Sequence, residues 1–131
     1  MAPYNDICLI APLEQDKVVH AFDGTEYKRY FEEEAVRLAK SARKFKQMSD
    51  LDICFFNVNN AKVKKKTLKD LEDLDCKCID IELENKDRYN EIGFLTKPLC
   101  GFYAEKLVKQ QILVNVDLDM VFMKSLPIEL C

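Results

Sequence analysis

Apolar residues recur along this chain in two patterns: short continuous runs, and longer stretches in which they lie three or four positions apart. Short continuous runs predict buried strands, whereas the wider spacing predicts amphipathic helices. The run over 76–83 instead alternates polar and apolar residues, which favours one exposed face and a place near a sheet edge. Strands alternating with helices predict a single α/β domain with a Rossmann-like, mostly parallel sheet of roughly four strands. The predicted strands cover residues 7–11, 51–58, 76–83 and 112–116.

Residues typical of helix ends support the predicted helices and locate where they begin and end. The segment Asp23-Gly24-Thr25-Glu26 matches a capping box, and the apolar residues that follow it have helical spacing. Thr67 is the expected N-cap of a shorter helix, and Lys109 closes a third helix near the negative end of its dipole. We expect Pro12 to end the first strand. The predicted helices cover residues 27–45, 67–74 and 96–109.

Composition narrows the classes of protein that fit. The chain has 131 residues, 48% of them hydrophobic, which suits one domain with an ordinary core. Its 20 Lys and Arg against 23 Asp and Glu give a net charge of −3, so we expect no nucleic acid partner. The N-terminus has no basic region and only a short apolar stretch, so we expect no membrane span and a cytoplasmic location.

The six cysteines could form disulfides, bind a metal or pack in the core. Those at positions 8, 54, 76 and 78 lie in the predicted strands, which favours reduced core residues. The Cys76-Lys77-Cys78 spacing could hold a metal. The chain has only one histidine, however, and no cysteine pair of the C-x-x-C type to complete the ligand set. A structural role is therefore the better prediction.

Two carboxylates follow the last predicted strand, in the segment Asp117-Leu118-Asp119. Side chains at i and i+2 of an extended segment point to the same side, so these two can converge on one cation or polar ligand. In open parallel sheets ligands bind at the carboxyl ends of the strands, where Asn57 also lies. Mn²⁺ and Mg²⁺ bind carboxylate and phosphate oxygens together, which suits a nucleotide diphosphate. The alternative is that the acids cap a turn or pair with Lys124.

The string ILVNVDLDMVFMKSLP resembles the D-x-D segment of GT-A-type glycosyltransferases, which use nucleotide sugars. The resemblance implies a GT-A-like fold, a nucleotide diphosphate sugar as donor, and an acceptor that is a glycan, a protein or a lipid. Asp119 would then hold Mn²⁺ or Mg²⁺ between the phosphates, and Asp117 would share the metal or contact the ribose. Further nucleotide contacts implied by the resemblance are Lys97, before the motif, and the residues that border the base, Ala11, Pro12 and Leu13.

Few residues follow this motif, whereas the enzymes it resembles carry acceptor-binding residues after it. We therefore expect the domain over residues 1–131 to be the nucleotide-binding half of a transferase, incomplete at its C-terminus. An exposed apolar sheet edge would then favour self-association. The alternatives are a non-catalytic α/β binding module, a degenerate fragment, or an aspartyl-phosphate phosphatase that uses VDLDMVF. That phosphatase needs a downstream lysine and further acids, for which only Lys124 and Glu129 are present.

A run of basic residues, Lys62-Val63-Lys64-Lys65-Lys66, precedes the second predicted helix. Such a run can bind phosphate or an anionic partner. The residues after it are rich in acids, which favours a solvated face whose charges compensate one another. The sequence leaves both interpretations open.

Overall fold

The computed structural model describes residues 5–58, 62–81 and 96–125. Within these ranges the chain forms an α/β fold with two sheets. The strands are β1 (Ile7–Leu13), β2 (Lys17–His20), β3 (Glu26–Arg29), β4 (Asp52–Val58), β5 (Cys76–Ile81) and β6 (Ile112–Asn115). The helices are α1 (Phe31–Arg43), α2 (Lys65–Asp73) and α3 (Thr96–Leu107), with a 3-10 helix over Lys46–Met48.

The main sheet has four parallel strands in the order β5-β4-β1-β6. This confirms the predicted parallel α/β architecture, which is consistent with a Rossmann-like fold. Strand β5 lies at an edge, as its alternating polar and apolar residues predict. Residues 82 and 83, which the prediction added to this strand, lie outside the described ranges.

The core lies on both faces of this sheet. Every residue of β1 is buried, because helices cover the strand from both sides. Its odd-numbered residues pack with α1 and α2, while Cys8 and Ile10 pack with Cys100 and Ala104 of α3. Among the cysteines predicted to lie in the core, those at positions 8, 54 and 76 are buried and free, whereas Cys78 is exposed. The prediction for Cys78 was therefore wrong.

The predicted helix start at Tyr27 and the capping box before it were wrong. Strands β2 and β3 pair antiparallel over these residues, and α1 begins only at Phe31. Asp23 accepts a hydrogen bond of 2.9 Å from the Thr25 N–H, and Gly24 has a φ of 85°, so the segment turns the chain instead of capping a helix. An aspartate–threonine pair suits either structure, which explains the error.

Further boundaries differ from the predictions, most of them by one or two residues. Pro12 lies inside β1 instead of ending it, and α3 ends at Leu107, before Lys109. Thr67 is the third residue of α2, and its hydroxyl donates a hydrogen bond to Glu32 of α1 instead of capping its own helix. In the part of the chain that the structure describes, no helix is long and apolar enough to cross a membrane.

Candidate functional site at the carboxyl end of the sheet

The sheet reverses its strand order at β1. From β1 the chain continues to β4 and β5 on one side, and later returns to place β6 on the other side. In open parallel sheets this reversal leaves a crevice outside the carboxyl ends of the two strands that flank it. At this reversal β1 ends at Leu13 and β6 ends at Asn115, so the rule directs attention to the residues that follow these two strands.

Pro12 explains why the chain leaves the sheet after β6. Strands β1 and β6 pair from Ile7 with Ile112 to Ile10 with Asn115, and the Val116 N–H donates a further bond of 3.0 Å to the Ile10 carbonyl. Because proline has no N–H, Pro12 cannot extend this ladder. The chain beyond Val116 is therefore free to leave the sheet, and it carries the two acids with it.

Asp117 and Asp119 are exposed, while Val116 and Leu118, which alternate with them, are buried with 6% relative exposure each. Leu118 packs in the same core cluster as Phe31, on the face covered by α1 and α2. The segment then turns, and the Met120 N–H donates a bond of 3.2 Å to the Asp117 carbonyl. Leu118 thus anchors the motif and leaves both carboxylates on its outer side.

Arg29, at the end of the hairpin, lies near this motif. Its guanidinium donates to Glu34 at 2.6 Å and lies 4.4 Å from the ring centroid of Phe31. Burial lowers the pKa of Arg29, but the hydrogen bond and charge of Glu34, together with the charge of Asp119, outweigh it and raise that pKa. Oxygen Oε2 of Glu34 is buried without a hydrogen-bond partner among the described residues.

Sequence reasoning missed Arg29 and Glu34, since the predicted helix start concealed the hairpin. The hydroxyl of Ser41 in α1 accepts a bond of 2.8 Å from the Phe122 N–H, which ties the segment after the motif to α1. Such contacts join residues far apart in the chain, and no local pattern reveals them.

The structure places the other predicted site residues as follows. Ala11, Pro12 and Leu13 are buried in β1, so their side chains belong to the core. Asn57 is half-buried beside Leu13 on the neighbouring strand, and its Oδ1 has no hydrogen-bond partner in the described ranges. Lys97 lies in the first turn of α3, and its side chain lies outside the described part of the chain.

The donor set at the motif suits a hard cation. No group of three or more histidine, cysteine or acidic side chains that could hold a metal occurs among the described residues. Asp117 and Asp119 supply only oxygen ligands, which is what Mg²⁺ and Mn²⁺ bind, and Mg²⁺ sites in proteins are often completed by substrate phosphates and water. The residues present therefore fit a metal that binds together with a phosphorylated ligand.

Comparison of the chain with protein-family models, with curated proteins and with solved structures finds no match.

Proposed function

We propose that this chain binds a nucleotide diphosphate sugar and belongs to the catalytic machinery of a metal-dependent glycosyltransferase. One observation carries the proposal: two exposed carboxylates, Asp117 and Asp119, flank a buried leucine where the strand order of a parallel sheet reverses. This is where such sheets bind ligands. The resemblance of the same segment to the D-x-D motif suggests which ligand binds there, a nucleotide diphosphate sugar with a divalent metal ion.

In the proposed mechanism Asp119 would hold Mn²⁺ or Mg²⁺, and Asp117 would share the ion or contact the ribose. A metal held there would supply positive charge for the negative charge that grows on the leaving diphosphate. Leu118 fixes the spacing of the two acids through its place in the core. Arg29, held by Glu34, adds a positive charge beside Asp119. The carboxyl ends of β1 and β4, where Asn57 is half-buried, would border the base.

A non-catalytic nucleotide-binding module is the second candidate. It is supported by the lack of a third protein ligand for the metal within the described ranges. Binding would then need the same two acids, but no sugar would be released from the donor. Both candidates predict nucleotide binding, and only the first predicts turnover.

The test is a thermal-shift panel of UDP, GDP, CDP and TDP, each with and without Mn²⁺. A ligand at a hundred times its dissociation constant stabilises a protein by about 2.7 kcal/mol, which is visible as a raised melting temperature. We expect one nucleotide to stabilise the chain only with Mn²⁺. Asp119→Asn should abolish the effect, and Asp23→Asn at the hairpin turn is the matched control.

No stabilisation by any nucleotide, or stabilisation that survives Asp119→Asn, would refute the proposal. Release of free sugar from the matching nucleotide sugar then separates the transferase from the module. Wild-type chain should release it slowly in the presence of Mn²⁺, and Asp119→Asn should not.

A further inference from the structure

An open groove of about 570 Å³ lies between α1 and α2, next to the end of the hairpin. Its volume is in the usual range for a ligand site. Most of the side chains that line it are charged, which sets it apart from an apolar docking groove. The lining residues are Asp16, Lys28, Tyr30, Glu32, Glu33, Val36, Arg37, Lys40, Lys64, Lys66, Thr67 and Asp70.

Two of the four acids in this groove already serve as helix caps. Asp16 accepts a bond of 3.1 Å from the Glu32 N–H at the start of α1. Glu32 in turn accepts bonds from the Lys64 N–H, at 2.9 Å, and from the Thr67 hydroxyl, at 2.7 Å, at the start of α2. Their charges are therefore compensated by the helix N-termini. The charged side chains left to face a ligand are Glu33, Asp70, Lys28, Arg37, Lys40, Lys64 and Lys66.

The sequence left open whether the lysine run over residues 62–66 binds an anion or forms a solvated face. In the structure its lysines fall into two groups. All four lysines are exposed, but Lys64 and Lys66 line the groove, whereas Lys62 and Lys65 lie outside its lining. The basic excess inside the groove favours an anionic ligand, since converging positive charges raise the local concentration of negative ones. Two lysines of the run therefore contribute positive charge to the groove.

A second cavity, of about 310 Å³, adjoins the groove. The two cavities share Lys28, Tyr30, Glu33 and Arg37, and the second one also reaches Arg29. Glu34, which accepts the hydrogen bond of Arg29, also lines the second cavity. Two tyrosines, Tyr27 and Tyr30, line this cavity with 51% and 49% of their surface exposed.

We propose that this groove binds an acidic sugar chain, one that carries carboxylates. The lysines and arginine pair with the carboxylates, the exposed tyrosine rings offer apolar faces to the sugar rings, and Glu33 and Asp70 accept bonds from sugar hydroxyls. A bare phosphate would use the cations but not the rings. That the chain serves as the acceptor rests on the proposed function.

The experiment measures the affinity of the whole chain for an oligogalacturonate by titration calorimetry at low salt. A double variant, Lys64→Gln with Lys66→Gln, removes two positive charges from the groove. Lys62→Gln with Lys65→Gln removes the same charge from the same run outside it. We expect the first pair to lose about ten-fold or more in affinity, and the second pair to stay near wild type.

Three comparisons complete the test. A neutral malto-oligosaccharide should bind weakly, and Tyr30→Ala should weaken oligogalacturonate binding but not that of linear polyphosphate. No binding by the wild type, equal losses in the two lysine pairs, or equal binding of the neutral sugar would each overturn the proposal. An effect of Tyr30→Ala on neither ligand would also overturn it, because the groove would then select charge alone.

The groove proposal and the proposed function can fail independently, because oligogalacturonate affinity tests the first and stabilisation by nucleotide with Mn²⁺ tests the second. Asp119→Asn should leave the oligogalacturonate affinity unchanged while it abolishes stabilisation by nucleotide and Mn²⁺. If no nucleotide binds but the groove still selects the acidic sugar, the groove inference stands and the transferase does not.

Discussion

Glu32 of α1 and Thr67 of α2 are joined by a hydrogen bond of 2.7 Å, from the threonine hydroxyl to the glutamate carboxylate. Both side chains are buried, with 5% and 8% relative exposure. The same carboxylate oxygen accepts the Lys64 N–H, so a residue of one helix caps the N-terminus of the other. Since these two helices wall the charged groove, this contact holds the two walls together.

Replacement of Glu32 should therefore destabilise the fold. Glu32→Ala leaves the Lys64 N–H and the Thr67 hydroxyl without their partner, and we expect a loss of about 1–3 kcal/mol in the free energy of unfolding. Urea denaturation measures it. Glu33→Ala, at the exposed neighbouring position, should change stability by less than about 0.5 kcal/mol. Equal effects of the two substitutions would show that the cap contributes nothing.

Replacement of Arg43 by lysine should destabilise the fold. Its guanidinium donates to the carbonyls of Met48 at 2.8 Å, Leu74 at 2.8 Å and Asp75 at 3.2 Å, which connects the ends of α1 and α2. A lysine has one charged nitrogen and cannot reproduce this fork. Arg43→Lys should lower the free energy of unfolding by about 1–3 kcal/mol, measured by urea denaturation. Arg37→Lys, on the exposed side of α1, should be nearly neutral.

Asp75 has a φ of 56°, which is a left-handed conformation that side chains disfavour. It follows Leu74, the C-cap residue of α2, at the position where glycine is the common residue. Asp75→Gly should therefore raise the free energy of unfolding by about 0.5–1 kcal/mol. Asp73→Gly, inside the same helix, should lower it by a similar amount. Thermal melts of the two variants should shift in opposite directions, and a shift in the same direction would contradict the argument.

The parallel sheet was predictable because its two central strands, β1 and β4, are continuous apolar runs that the helices bury on both faces. The hairpin was not, since β2 and β3 have four residues each and their burial is too slight to impose a pattern. Asp117 and Asp119 could be singled out because they follow an apolar run. The prediction that this run forms a buried strand was wrong, since β6 is an edge strand whose residues are exposed or half-buried. Arg29 could not, because its nearness to Asp119 depends on how the hairpin packs against α1.

Buried thiols make the fold sensitive to alkali. Burial raises the pKa of Cys100 to about 12, and also that of Cys76 to about 12. An unfolded cysteine titrates near about 8.5, so between these values the native state keeps protons that the unfolded state releases. The stabilisation is therefore fully present below the unfolded pKa and is lost as the pH rises toward the native one.

We expect the free energy of unfolding to fall between about pH 8 and about pH 10, and to fall less steeply in Cys100→Ala. Urea denaturation across this range gives the slope. Because Cys100→Ala also leaves a small cavity, its stability will be lower at every pH, and only the slopes are compared. All other residues are the same in the two proteins, so only the Cys100 thiol distinguishes the slopes. Parallel curves for the two proteins would show that the Cys100 thiol ionises as readily in the native state as in the unfolded one.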